Sequence, residues 1–260
     1  MTESRSFLKY TTVDHLLALI LQERKVAFLV KADIKEAYRI IPVHPHDQSL
    51  LGVEWEGGVF IDLALPFGLR SAPKIFSAVA DALQWILIQK GVKTILHYLD
   101  DFILVAGSLA EANYQKEILI STCSALGVPL EPSKLEGPST SLSFLGIEFD
   151  TMALQLCLPT DKLLRLKAEL NSAISRRCMK KHSLQSLTGL LQHATKVIRP
   201  GRPFLRRLHA LQSVGSFPYH QIRLNIAARA VCSPDTIVVS DASGSWGCGA
   251  YCSSHQFNMK

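Results

Sequence analysis

Two adjacent aspartates, Asp100 and Asp101, are the residues of this 260-residue chain whose types and spacing are best suited to chemistry. The flanking runs 94–98 and 102–105 are rich in β-branched and aromatic residues, which predicts a hairpin with the aspartates at its turn. Adjacent carboxylates repel each other, and a divalent metal ion is the usual compensation. An ordinary polar turn is the commoner explanation of a lone Asp-Asp pair, so the surrounding sequence has to decide.

A third carboxylate, Asp33, follows the apolar run 26–30, which predicts a buried strand. Functional groups commonly lie just past strand ends, and three carboxylates from two strand ends could hold two Mg²⁺ ions about 3.5–4 Å apart for in-line phosphoryl transfer. Asp33 could equally be the N-cap of a helix over residues 34–38. Sequence spacing does not choose between these two roles.

Five segments across residues 13–150 resemble motifs of the reverse transcriptases, in the same order and with similar spacing. They are residues 31–38 around Asp33, residues 65–76 (an L-P-x-G-x-x-x-[AS]-P-x-x-F block), residues 98–101 (Y-x-D-D), residues 126–134, and residues 144–147 (the primer-grip motif). One such motif would be weak evidence, whereas five in order are strong.

This resemblance implies a domain that adds deoxynucleotides to a primer 3′-hydroxyl, with an RNA or DNA template–primer duplex and dNTPs as its partners. It implies that Asp33, Asp100 and Asp101 are catalytic and bind two Mg²⁺ ions, for which Mn²⁺ could substitute. The implied fold class is α+β, with a palm (an antiparallel sheet with helices on one face) and a helical thumb. The fingers are expected to be largely missing, because only 32 residues precede Asp33.

The resemblance also implies binding roles for six other residues: Tyr38, Phe67, Gly68 and Lys134 at the nucleotide, and Leu145 and Gly146 in the primer grip. Tyr38 lies where the family places an aromatic gate against the ribose 2′-hydroxyl, although an ordinary core tyrosine is the alternative. Gly68 would let the backbone approach the nucleotide or template. Lys134 could protonate the leaving pyrophosphate or could be a solvated loop lysine.

The charge of the chain is divided unevenly along its length. Residues 151–260 contain 15 Lys and Arg against 4 Asp and Glu, a net charge of +11, whereas residues 1–150 contain 13 against 18, a net charge of −5. Such a basic stretch predicts binding to nucleic acid phosphates, and a solvated pair of basic helices is the alternative. The predicted binding residues are Arg176, Arg177, Lys180, Lys181, Lys196, Arg199, Arg202, Arg206 and Arg207.

We expect three domains: a palm with a remnant of the fingers at 1–150, a basic helical thumb or connection at 151–225, and a truncated ribonuclease H-like segment at 236–260. Residues 236–251 resemble the first two strands of a retroelement ribonuclease H, with Asp241 in the place of its first metal ligand. Asp241 is the last acidic residue, so no ribonuclease H activity is expected. The segments 65–76, 81–85 and 193–202 are most similar to DIRS-type retrotransposons.

Hydrophobic periodicity and turn residues predict the remaining elements. A hairpin over residues 53–55 and 59–63 should turn at Glu56-Gly57-Gly58, and a helix over 72–87, with Pro73 in its first turn, should bury Ile75, Val79, Ala82, Leu83 and Ile86. Helices are also predicted over residues 12–21, 109–126, 160–175 and 183–197, and strands over 142–149 and 154–158. The 183–197 helix should bury Leu184, Leu187, Leu190, Leu191 and Ala194.

Composition restricts the class of protein further. No apolar run approaches the roughly 20 residues of a membrane span, the N-terminus is not a signal peptide, and the six cysteines are scattered. These features predict an intracellular protein of the cytoplasm or nucleus. Two alternatives to an active polymerase remain: a catalytically inactive retroelement fragment that binds nucleic acid, and a non-functional relic.

Overall fold

The computed structural model describes residues 10–23, 26–213 and 217–224, together with the backbone of three strands near the C-terminus. It divides into two compact units, Met1–Leu142 and Ser143–Lys260.

Over its described residues, the first unit contains four α-helices and six strands. In chain order they are α1 Val13–Gln22, β1 Phe28–Asp33, α2 Pro45–Gln48, β2 Gly52–Trp55, β3 Gly58–Ile61, α3 Ala72–Gln89, β4 Ile95–Tyr98, β5 Asp101–Ala106, α4 Leu109–Ala125 and β6 Glu136–Ser139. The predicted helices over 12–21, 72–87 and 109–126 are confirmed as α1, α3 and α4.

A four-stranded antiparallel sheet in the order β4-β5-β1-β6 organises this unit. Helices α3 and α4 pack against it. In β5 every residue from Phe102 to Ala106 is buried, which explains why this strand is a continuous apolar run rather than an alternating one. The core joins both strands and helices, with Val30, Phe76 and Leu119 among its fully buried side chains.

The apolar stripe of α3 lies on a different face from the one predicted. The buried side chains are Ala72, Phe76, Ser77, Ala80, Leu83 and Leu87, at helical spacing. Leu83 is buried as predicted, but Ile75, Val79 and Ala82 are exposed and Ile86 is only partly buried. Apolar residues occupy two adjacent faces of this helix, and the position of the sheet selects the one that is buried. Pro73 lies in the first turn, as predicted.

The predicted hairpin between residues 53 and 63 is confirmed as β2 and β3, with Trp55 opposite Gly58. Of the three residues predicted to form the turn, Glu56 and Gly57 are its central residues, with φ angles of 49° and 77°, and Gly58 begins β3. Positive φ at both central residues is the geometry that matches the twist of a tight hairpin.

Among the residues that the structure describes, the second unit contains three α-helices and eight strands, of which β7 begins two residues before the unit. In chain order they are β7 Ser141–Phe144, β8 Ile147–Asp150, β9 Gln155–Cys157, α5 Thr160–Ser175, β10 Cys178–Lys180, α6 Lys181–Ala194, α7 Arg202–Gln212, β11 Gln221–Arg223, β12 Val239–Asp241, β13 Gly249–Cys252 and β14 His255–Asn258. The sheet order is β14-β13-β12-β9-β8-β7, and β10 pairs with β11.

The prediction of one continuous strand over residues 142–149 was wrong. The chain turns at Leu145-Gly146, where φ is 50° and 74°, so the segment forms two strands, β7 and β8. The alternation of buried residues continues through both, because Leu142, Phe144, Ile147 and Phe149 are all buried. An alternating pattern interrupted by a two-residue turn looks like one long strand in the sequence.

Helices α5, α6 and α7 share the apolar core of the second unit. Helix α5 has the predicted bounds, and α6 corresponds to the helix predicted over 183–197. On α6, Leu184, Leu187 and Ala194 are buried and Leu190 and Leu191 are partly buried, as predicted. Helix α7 was not predicted, although Leu205, Leu208 and Leu211 place an apolar stripe on it. Within the described residues, none of the helices is long and apolar enough to cross a bilayer.

Candidate active site

The pairing of β1 with β5 places Asp33 directly opposite Asp101. Strand β5 pairs with β4 through Tyr98 and Asp101, so Leu99 and Asp100 form the turn of the predicted hairpin. The amide of Ile34 donates a hydrogen bond of 3.1 Å to the carbonyl of Asp100, which ties the end of β1 to this turn. The three aspartates predicted to be catalytic therefore lie at one end of the sheet.

Asp33 is held on its other side by the segment that follows α4. The amide of Glu131 donates to the Asp33 carbonyl at 2.9 Å, and the amide of Lys35 donates to the Pro129 carbonyl at 2.9 Å. Asp33 is the last residue of β1 and is only 6% exposed. The alternative role of Asp33 as a helix N-cap is wrong, because the short 3₁₀ helix Ala37–Ile40 is preceded by Glu36 at its N-cap.

Leu99, before the aspartates, has a left-handed backbone with φ of 54°. This conformation costs a non-glycine residue about 1–2 kcal/mol, so packing has to hold it. Its side chain is partly buried against the core of the first unit, and the neighbouring Tyr98 ring lies 5.3 Å from the ring of Tyr10. The strain is therefore located in the turn that presents Asp100.

The aspartates of the hairpin lie in an environment that disfavours their charge. Burial raises the pKa of Asp100 above its ordinary value, and the charge of Asp33 raises it further. Burial also raises the pKa of Asp101, with contributions from Asp100 and Asp33 that the charge of Lys31 opposes. Two half-buried carboxylates that repel each other and a third one form a site for cations.

Lys134 supplies a cation at this site. Its Nζ lies 3.0 Å from Oδ2 of Asp33. The hydrogen bond to Asp33 raises the pKa of Lys134, and the charges of Asp101 and Asp100 add to this effect. The sequence alone left Lys134 between a solvated loop lysine and a functional one, and in the structure its ammonium contacts the carboxylate of Asp33.

The donor set of this site fits a divalent metal such as Mg²⁺ by its chemistry, because carboxylate oxygens are the ligands that this ion prefers. The ammonium of Lys134 already neutralises Asp33, whereas Asp100 and Asp101 have pKa values raised mainly by burial and further by the neighbouring carboxylates. Over the described residues, however, no group of three or more His, Cys, Asp or Glu side chains is already arranged to hold a metal ion.

Tyr38 lies beside the aspartates and contacts two aromatic rings. Its ring centroid is 5.2 Å from that of Phe67 and 5.7 Å from that of Phe76. Burial raises the pKa of Tyr38, and the negative charge of Asp100 raises it further. Phe67 is 71% exposed, so the Tyr38–Phe67 pair presents an aromatic surface to solvent next to the carboxylates.

Gly68 follows Phe67 with φ of 88°, and a Cβ built on it would meet nothing within 4 Å. The structure therefore explains this glycine by its left-handed backbone rather than by a close neighbour within the chain.

In the second unit, the Leu145-Gly146 turn is held by two side chains that the sequence did not single out as site residues. The carbonyl of Gly146 accepts hydrogen bonds from Nζ of Lys162 at 3.3 Å and from Nε2 of His193 at 3.1 Å. Burial lowers the pKa of His193, and the charges of Lys196 and Lys162 lower it further, while the bond to Gly146 opposes them. No spacing signal could have revealed these contacts, which join α5 and α6 to a turn far away in sequence.

The predicted nucleic-acid-binding residues lie at the ends of α5 and α6 and along α7 in the second unit. Arg176 and Arg177 follow α5, Lys180 and Lys181 lie at the junction of β10 and α6, and Lys196 and Arg199 lie between α6 and α7. Arg202, Arg206 and Arg207 lie on α7, whose other face is buried through Leu205 and Leu208. Eight of the nine are exposed, and Lys181 is partly buried.

A family model described as "Reverse transcriptase (RNA-dependent DNA polymerase)" matches residues 3–149. The chain is 28% identical over 142 residues to the Gag-Pro-Pol polyprotein of squirrel monkey retrovirus, which covers 50% of this chain and 8% of that protein. It is 26% identical over 161 residues to the transposon Tf2-3 polyprotein of Schizosaccharomyces pombe, covering 61% and 12%. The chain thus spans a small part of the length of these relatives.

Solved structures show the same fold. The foamy viral protease-reverse transcriptase dRH in complex with double-stranded DNA has a TM-score of 0.61 at 18% identity, covering 87% of this chain and 37% of that one. The foamy viral protease-reverse transcriptase in complex with an RNA/DNA hybrid has a TM-score of 0.59 at 19% identity, covering 79% and 26%. The predicted α+β fold is confirmed by these similarities.

Proposed function

Because the chain belongs to the reverse transcriptase (RNA-dependent DNA polymerase) family, we propose that it catalyses template-directed addition of deoxynucleotides to a primer 3′-hydroxyl. Its curated relatives are retroviral and transposon polyproteins, so the domain is that of a retroelement. The observation that carries the proposal is the placement of Asp33 opposite Asp101, with Asp100 on the adjoining turn and the pKa of both hairpin aspartates raised.

Asp33, Asp100 and Asp101 are the residues that would hold two Mg²⁺ ions, or Mn²⁺ in their place. When bound, such ions activate the attacking hydroxyl and neutralise the leaving pyrophosphate. The protein's own contribution is to keep three carboxylates at one end of a rigid sheet, fixed from both sides by backbone hydrogen bonds. Without metal ions, the ammonium of Lys134 neutralises Asp33. With a metal ion on Asp33, this ammonium would be available to protonate the leaving pyrophosphate.

Tyr38 and Phe67 are proposed to form the surface that meets the sugar and base of the incoming dNTP. A ring braced by both Phe67 and Phe76 cannot easily move aside, so a ribose 2′-hydroxyl would be excluded by volume. Gly68 supports the exposed position of Phe67 through its left-handed backbone.

The second unit is proposed to bind the template–primer duplex. Leu145 and Gly146 form a tight turn suited to a primer grip, and the exposed basic residues of α7 and its neighbours suit phosphate contacts. We propose in addition a DIRS-type element, an intracellular location, and the domain division at residues 150, 225 and 236. The side chain of Asp241 lies outside the described residues, but the antiparallel order β12-β13-β14 supports a ribonuclease H-like segment there.

Primer extension on an oligo-dT-primed poly-rA template, with Mg²⁺ or Mn²⁺, tests the proposed activity. We expect the wild type to extend the primer and Asp100→Asn to lose at least about 100-fold in rate, because it removes a charge at the developing transition state. Asp47→Asn, which neutralises an exposed carboxylate on α2, is the matched control and should retain the wild-type rate.

Extension by Asp100→Asn at the wild-type rate would contradict the assignment of the site. A wild type that binds duplex in a salt-dependent way but extends no primer would support the alternative function, a catalytically inactive retroelement fragment that binds nucleic acid. One observation favours that alternative: Lys134 already occupies Asp33, and the described carboxylates are not preformed as a metal site. A chain that neither binds nor extends would be a relic.

A further inference from the structure

Two exposed aromatic rings lie parallel on the surface of the second unit. Phe217 and Tyr219 are 52% and 65% exposed, with ring centroids 5.5 Å apart and an interplanar angle of 5°. The ring of His220 stands edge-on to both, at 5.2 Å and 83° from Phe217 and 5.3 Å and 88° from Tyr219. We name these three residues the aromatic ledge.

The backbone of the aromatic ledge is fixed against the start of α6. The amide of Lys181 donates to the carbonyl of His220 at 2.9 Å, and the amide of His182 donates to the carbonyl of Pro218 at 2.9 Å. Within the turn, the amide of His220 donates to the carbonyl of Phe217 at 3.1 Å. The exposed rings are therefore held in place rather than carried on a free loop, so a planar ligand would lose little ordering entropy of the protein.

The surroundings of the aromatic ledge are basic. In the β10–β11 pair, Lys180 lies opposite Gln221, and Arg223 lies opposite Cys178. Met179 and Ile222 are buried, so the alternation of the strands turns Lys180 and Arg223 outward. The sequence contains no Asp or Glu from residue 170 to residue 234. Negative charge on a ligand at this surface would therefore be attracted.

We propose that the aromatic ledge is a stacking site for the unpaired bases of a single-stranded RNA or DNA segment, with Lys180 and Arg223 contacting its phosphates. Scattered exposed aromatics need no explanation, but parallel rings held by a third ring and bordered by positive charge are the features of a single-strand platform. This inference deepens the proposed function and rests on it for the presence of a nucleic acid.

Binding of fluorescein-labelled oligo-dT, and of an abasic strand of equal length, to the full chain in EDTA tests this site by fluorescence anisotropy. Tyr219→Leu keeps an apolar side chain but removes the ring, and we expect it to weaken oligo-dT binding about fivefold or more. Binding of the abasic strand should not change, because its phosphates remain. Tyr219→Phe should retain wild-type affinity, as should Tyr114→Leu, which removes an exposed tyrosine from α4.

Equal losses on both strands, or no loss with oligo-dT, would overturn the stacking site. Photocrosslinking of wild type to 5-iodouracil-containing DNA gives a second measurement without any substitution. A crosslink within the tryptic peptide 208–223, whose aromatic rings other than histidine are Phe217 and Tyr219, would support the site, and crosslinks only elsewhere would overturn it. Both assays are carried out without metal ions or dNTPs. Their results are therefore independent of whether the chain extends primers.

Discussion

Ionised aspartates at the candidate active site lower the stability of the fold that carries them. Burial raises the pKa of both Asp100 and Asp101, which means that their charged forms are less favourable in the folded chain than in the unfolded one. The charge of Lys134 opposes this effect at both aspartates, and that of Lys31 opposes it at Asp101, but burial outweighs them. Functional sites commonly contain charged groups that lower the stability of the folded protein when no ligand is bound.

Asp100→Asn should therefore stabilise the metal-free protein while abolishing its proposed activity. Removing the charge should raise the Tm in EDTA at pH 7 by about 2 °C or more, the equivalent of roughly 1 kcal/mol. Because the folded pKa lies above the unfolded one, the gain should be present at neutral pH, should shrink as the pH falls through the folded pKa, and should vanish below the unfolded pKa, where the wild-type carboxyl is protonated in both states. Differential scanning calorimetry measures both effects, and Asp47→Asn should show no gain.

At the scale of single elements, the Leu145-Gly146 turn depends on glycine chiefly for its backbone. Its φ of 74° is unfavourable for any residue with a Cβ. A Cβ there would also lie 3.2 Å from Nε2 of His193 and would displace the flexible end of Lys162, which donates to the Gly146 carbonyl. The turn, α5 and α6 are therefore linked through a single carbonyl group.

Gly146→Ala should lower the Tm by roughly 2–4 °C, which corresponds to a loss of about 1 kcal/mol or more. Gly189→Ala is the matched control, because this glycine lies within α6 and a Cβ there would meet nothing within 4 Å. Alanine in a helix interior is favoured by about 0.5–1 kcal/mol, so this control should raise the Tm. Equal effects of the two substitutions would contradict the geometry of the turn.

The face that α3 buries can be tested by comparing two neighbouring residues. Phe76 is 0% exposed and Ile75 is 40% exposed. Phe76→Ala should lower the free energy of unfolding by about 3–5 kcal/mol, because it leaves a cavity beneath the sheet. Ile75→Ala should change it by less than about 1 kcal/mol. Chemical denaturation measures both changes. A larger loss of stability for Ile75→Ala than for Phe76→Ala would mean that α3 buries the face predicted from the sequence.

At the scale of the whole molecule, the division of charge separates two kinds of chemistry. The acidic first half carries the carboxylates proposed to bind metal, and the basic second half carries the residues proposed to bind phosphates. Phosphate binding releases counterions, so its strength falls with salt in proportion to the number of contacts.

Arg206→Gln, on the exposed face of α7, should reduce the slope of log Kd against log salt for double-stranded DNA by about 0.9. Lys90→Gln removes the same charge from the exposed end of α3 in the first unit and should leave the slope unchanged. Titrations at several salt concentrations measure both slopes. Identical slopes for the two variants would mean that net charge, rather than the basic surface of α7, governs binding.

The sequence by itself determined most of the local structure and singled out the three aspartates that are proposed to be catalytic. The bounds of α5, the hairpin of Asp100 and Asp101, and the first-turn position of Pro73 depend on periodicity and turn residues within a few positions of each other. Helix α7 was the longest of the local elements that the sequence interpretation missed, because its basic residues drew attention to charge rather than to its short apolar stripe.

Only the tertiary structure decided which surfaces and side chains meet. Lys134 contacts Asp33 across 101 positions of the sequence, and His193 contacts Gly146 across 47. The buried face of α3 and the aromatic ledge likewise depend on which elements pack side by side. Local patterns reflect the preferences of neighbouring residues, whereas these contacts arise when distant elements bury their apolar faces together, and no spacing in the sequence records that choice.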